Sequence, residues 1–192
     1  MLVELALGGW VEVVKGSGLW ARAKVLATDT PPPADALLAE SLELVRSRER
    51  TAQDLVPRLG KKRRDMLLYR LRERGILEER EDRLLGLIPR RRWPMVDSTH
   101  EAAVRRDLVD VLIRGARPEE RPAALIAVLS ALDLAHKVVA GEAMPARDVK
   151  KRAKEVADGD WAAKAVRDSI AAAQAAVTAA VVASTASASA SG

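Results

Sequence analysis

Between residues 60 and 97 the chain changes its hydrophobic period once, at Gly75, and that change limits the folds open to it. Before it, Arg64, Leu67, Leu68 and Leu71 fall at i, i+3, i+4 and i+7, one face of a helix. Gly60 punctuates the start, and Gly75 stands where a glycine in the left-handed region closes a helix. After it, residues 76–79 and 83–88 are short runs expected to form a hairpin joined at Glu81-Asp82. The rest of the chain reads mostly in helical periods, so the expected class is mainly α, a single-domain helical bundle with short β-hairpins.

Residues 60–97 carry twelve Lys and Arg against seven Asp and Glu, while the whole chain has a net charge of +5. The remaining residues therefore balance, and an anionic partner is expected to meet the chain here. Lys61, Arg64, Leu68 and Arg72 share a strip beside the apolar face. Lys61 and Arg64 are one turn apart, close enough to converge on one phosphate. Lys61, Lys62 and Arg63 sit at the helix start, where free N–H groups and the dipole favour anions. A cation there is unfavourable for the helix unless an anion joins it, although a solvated basic face gives the same pattern. Further on, Leu84, Leu85, Leu87 and Ile88 are too apolar for a one-sided strand, so this run is either buried on both faces or exposed for a purpose. Arg90, Arg91, Arg92 and Trp93 follow it directly. Apolar tips beside arginines and an indole suit the boundary between water and lipid; packing on the chain's own domain or in a subunit interface suits them equally.

The 192 residues suffice for one domain, expected over residues 1–183, with a disordered Ala/Ser-rich tail over 184–192. There is no Cys and no Phe, and aromatic residues make up 3% of the chain, so the core must be aliphatic and no disulfide or thiolate site exists. The heavy use of Arg and Ala suggests a GC-rich bacterial genome. Residues 1–7 read as an apolar helix end rather than a signal peptide. Residues 10–14 and 21–27 read as a hairpin whose Gly16 and Gly18 lack the pattern of a phosphate loop. Helices are expected over residues 35–48, after a Thr51 cap, after Asp97-Ser98-Thr99, from Pro122 without a break to about residue 141, over 145–158, and over 161–183. Lys164, Arg167, Asp168 and Gln174 keep the last from being a membrane span. Asp133 and His136, at i and i+3, are expected to form a structural polar pair, since no third group completes an acid–base site. With two histidines and no nucleophile motif, neither enzymatic activity nor a cofactor or metal is expected.

Several stretches carry a resemblance: MLVELALGGWVEV at the start, LRERGIL with the hairpin after it, and RRRWP over residues 90–94. They resemble the Golgi phosphoprotein 3 family, and ADGDWAAKAVRDSI is similar to the version in bacterial members. The likeness runs to about Ala183. Eukaryotic members bind phosphatidylinositol 4-phosphate and act as Golgi adaptors for glycosyltransferases. The resemblance implies a phosphate-contacting pair at Lys61 and Arg64. It also implies a protruding hairpin over residues 76–94 for membrane insertion or self-association, with Leu84, Leu85, Leu87 and Ile88 at its tip and Arg90, Arg91, Arg92 and Trp93 against an anionic surface. The family's pocket also uses a Trp and an Arg upstream of the position of Met1, so part of the pocket is expected to be absent here. The partners implied are anionic phospholipid head groups and a second copy of the chain, at the cytoplasmic face of a membrane to which the protein binds peripherally. The residues alone also fit a winged helix on nucleic acid, with Arg63, Arg64 and Arg70 on its recognition helix, although no Asn or Gln is placed there to read adenine.

Overall fold

A computed structural model describes residues 1–14, 23–60, 63–84, 88–159, 168, 170–175 and 178; of 82–84 and 88–90 the backbone alone is described. The described residues are mainly helical, with two small antiparallel strand pairs. Helix α1 (Leu2–Leu7) is closed by Gly9 at φ +72°, and the Trp10 ring lies where a side chain at Gly8 would go. The indole Nε1 donates to the Pro31 carbonyl at 2.7 Å, which holds the ring in place. Strand β1 (Val11–Val14) then pairs with β2 (Lys24–Ala27), from Val11 opposite Ala27 to Val14 opposite Lys24. Helix α2 (Ala36–Arg46) starts at Asp35, whose Oδ1 accepts from the backbone N–H of Leu37 and Leu38 at 2.8 and 3.1 Å. Helix α3 (Ala52–Gly60) starts at Thr51, whose Oγ1 accepts from the Asp54 N–H, as the sequence predicts. Leu2, Leu5, Val25, Leu42, Leu55 and Leu59 close a first core among these elements.

A second core joins α5 (Thr99–Leu112), α6 (Glu120–Ala131), α7 (Ala135–Val138) and α8 (Ala146–Asp158), through Leu108, Leu112, Ile126, Val149 and Ala153. Val149, Ala153 and Val156 are the buried residues of α8, the narrow apolar edge that its spacing predicts. Residues 170–175 are helical and lie between the two cores. Ile170 packs with Ala124 and Ala127 of α6, and Ala173 packs with the first core. The core is aliphatic, as a chain without Phe requires.

Two expectations need correcting. The apolar run after Pro122 is not one helix. It stops at Ala131, and Asp133 takes φ +54°, a left-handed conformation that Asp tolerates better than most residues. The Asp133 carboxylate accepts from Lys150 at 2.8 Å, and the turn lays α7 against α8. Of this run α6 buries Ala123, Ala124, Ile126 and Ala127, while Leu125 is exposed. His136 stands 3.9 Å from Asp133, with its Nδ1 buried and without a hydrogen-bond partner among the described residues. The second correction concerns the hairpin. Its strands are β3 (Arg80–Leu84) and β4 (Ile88–Arg92), so Glu81 and Asp82 lie in a strand and not in the turn. The register sets Glu81 opposite Arg91 and Asp82 opposite Arg90. The arginine run thus belongs to β4 instead of trailing behind the hairpin.

Candidate functional site

Helix α4 (Arg63–Glu73) follows α3 and ends as its glycine predicts. Gly75 has φ +71°, its N–H donates to the Arg72 carbonyl at 2.8 Å, and the Ile76 N–H donates to the Leu71 carbonyl at 2.9 Å. This is the Schellman arrangement. No residue of α4 is buried, which is unusual for a helix carrying Leu67, Leu68 and Leu71. Ion pairs to its own domain hold it in place. Arg63, 13% exposed, reaches Glu40 of α2 at 2.7 Å and the Leu37 carbonyl at 3.5 Å. Arg70 donates to Asp35 at 2.6 Å, and that bond is the main reason the Asp35 carboxyl titrates below its ordinary range. Arg64, on the first turn, behaves differently. Its side chain is 77% exposed, and among the described residues its acid neighbour is Asp65 at 3.6 Å, past hydrogen-bond length. Lys61, its expected companion, lies outside the described residues.

The other end of α4 meets the base of the hairpin. The Tyr69 and Trp93 rings pack edge to face, with centroids 5.3 Å apart and planes at 88°. Arg91 donates to the Tyr69 hydroxyl at 3.0 Å. Glu79, 19% exposed, stands between Arg72 at 3.6 Å and Arg91 at 3.5 Å. Behind this cluster the ladder continues as Glu78 N–H to Pro94 O at 3.0 Å and a bridge between Leu77 and Met95. Of the residues expected against an anionic surface, Arg91 and Trp93 are therefore engaged with α4. Arg92 is exposed and lies opposite Arg80 in register, and Arg90 lies opposite Asp82. Leu84 and Ile88 form the last paired positions of the ladder, while Leu85 and Leu87 lie outside the described residues. Tyr69 and Glu79 are the members that sequence reasoning missed. Tyr69 is the chain's single tyrosine, set among leucines and arginines, and that was the available signal.

The rim of a cavity of about 460 Å³ carries Arg64, some 12 Å along the helix from Arg72 at about 1.5 Å per residue. Aliphatic side chains from α1, α3, α4 and α6 line it, with Ala173 and Gln174 closing one side. The Gln174 amide donates to the Ala127 carbonyl. Among the described residues no cluster of metal-ligating side chains exists, and no helix is long and apolar enough to cross a membrane. The family model for Golgi phosphoprotein 3 (GPP34) matches residues 1–173. No curated protein matches the chain.

Proposed function

The chain belongs to the Golgi phosphoprotein 3 family, and from that premise we propose that it binds the head group of an anionic phospholipid, of the phosphatidylinositol 4-phosphate type, at the start of α4. Arg64 supplies charge-assisted bonds to the phosphate, with Lys61 one turn before it. The hairpin adds apolar insertion at its tip and self-association, and the protein works as a peripheral membrane protein. General attraction of the basic face to anionic lipid contributes roughly 1 kcal/mol per cation near the surface.

One observation carries this reading: the division of labour among the α4 arginines. A recognition helix on nucleic acid would need Arg63, Arg64 and Arg70 available to phosphates and base edges. Arg63 is spent on Glu40 and Arg70 on Asp35, so of the three Arg64 alone is tied to no other element by a described bond. An exposed cation at a helix start, beside an apolar cavity, suits one phosphate monoester better than a duplex backbone.

Sedimentation with vesicles tests the reading, using neutral lipid, generic anionic lipid and phosphatidylinositol 4-phosphate at matched charge and two salt concentrations. The chain is expected to prefer the phosphoinositide. Lys61→Glu with Arg64→Glu is expected to abolish binding and leave the circular dichroism spectrum unchanged. Binding that survives the double substitution removes the site from α4. Binding to a DNA duplex in place of lipid replaces the reading altogether.

A further inference from the structure

The cavity beside Arg64 has a chemistry that the head-group reading does not use. Its volume of about 460 Å³ falls within the roughly 300–1,000 Å³ of small-molecule sites. Leu2, Val56, Leu59, Leu67, Leu68 and Val128 supply most of its wall. Of the polar side chains in the lining, Arg63 is bound by Glu40 and the Leu37 carbonyl and Gln174 donates to the Ala127 carbonyl, which leaves Arg64 as the cation tied to no other element by a described bond. Helix α4 also lacks any buried residue, and Leu67 is 39% exposed. An apolar helix face is thus left only partly covered, on the wall of an apolar cavity with a cation at its rim.

We infer that this cavity takes one acyl chain of the anionic phospholipid whose phosphate Arg64 holds, an inference that rests on the function proposed above. An amphiphile with a phosphate at one end meets both halves of the site in a single pose, the chain against Leu67, Leu68 and Val128 and the phosphate at Arg64. A polypeptide segment fits less well. Its N–H and C=O groups would need partners that a wall of aliphatic side chains does not provide, whereas an acyl chain makes no such demand. Binding then draws one chain out of the bilayer and covers the open face of α4.

The full chain is titrated with oleoyl lysophosphatidic acid below its micellar concentration, with glycerol phosphate and with oleoyl lysophosphatidylcholine. One molecule of the lysophosphatidic acid is expected to bind per chain, more tightly than either comparison. Val128→Trp and Ala131→Trp, both at partly exposed positions of the lining, should each weaken it by about tenfold or more, the equivalent of losing about two buried methylenes. Arg64→Glu should weaken it as well. If either filled variant melts early, Leu67→Trp reads the same point, because a chain-brominated lysolipid quenches the new indole only when the chain lies in the cavity. A wild-type chain that ignores anionic vesicles refutes the head-group reading. A chain that binds vesicles through Arg64, yet binds the lysolipid no better than glycerol phosphate or equally well when filled, refutes the cavity assignment alone. Filling that changes the oligomeric state without changing lysolipid affinity assigns the groove to a second copy and also overturns the inference.

Discussion

Asp35 carries two duties that its place in the sequence makes half visible. As the residue before an apolar period it is legible as a cap, and it caps α2. Its bond to Arg70 is not legible, because it joins residues 35 positions apart. Asp35→Ala is expected to cost about 1 kcal/mol, up to about 2, through the lost cap, measured by urea unfolding. Asp35→Asn keeps a capping oxygen and isolates the charge on Arg70. Because the bond holds the folded carboxyl below its ordinary value of 3.8, the ion pair's contribution is present above that value and is lost as pH falls through the folded one. The pair is partly exposed, so the difference between wild type and Asp35→Asn should be small, about 1 kcal/mol or less at neutral pH, and should vanish once the pH falls below the lowered value of the folded carboxyl. A difference that persists undiminished in acid would mean that the charge plays no part. Gly75 presents the opposite case, with its role fully visible beforehand. Nothing lies within 4 Å of where its Cβ would go, so the cost of Gly75→Ala comes from φ +71° alone, about 1 kcal/mol.

At the scale of elements, the hairpin is set by how its base docks on α4. The Tyr69–Trp93 contact is the kind of aromatic pair that contributes about 0.5–1.5 kcal/mol beyond its buried area. Trp93→Ala is expected to raise hydrogen exchange at the Leu77, Glu78 and Val96 amides while exchange in α5 and α8 stays unchanged. Protection lost throughout the chain would show instead that the hairpin belongs to the global core. The sequence pattern locates a hairpin here but misplaces its turn and stops it short of the arginine run. It took Glu81-Asp82 as a polar loop, where the register makes them partners of Arg91 and Arg90. An acidic pair is ambiguous in this way, because its preference for turns is local whereas its register against arginines ten and eight residues later is not. The break in α6 escaped for a related reason. Asp133 inside an apolar run looks like a tolerated interruption, and only the Lys150 bond and the packing of α7 on α8 turn it into a stop.

At the scale of the molecule, the helical class and the aliphatic core followed from periodicity and the lack of Phe, while the relation between the two cores did not. Contact between distant apolar stripes leaves no trace in local spacing. The cores meet through Ile170, Ala124 and Ala127, with Val3 and Leu7 beside them, and through the Arg121–Glu4 ion pair at 2.9 Å. Ile170 is 2% exposed, so Ile170→Ala is expected to cost about 2–5 kcal/mol, with hydrogen exchange rising in α1 and in α6 together. A rise in one half alone would show two independently stable units. The same stitch sets a clock on biosynthesis. Ala173 completes a core whose other members include Leu2 and Leu5, so the first helix waits for one of the last described residues. At about 5–20 residues per second, roughly 10–30 s separate the synthesis of that helix from that of Ala173, and for that time the core lacks its last described member.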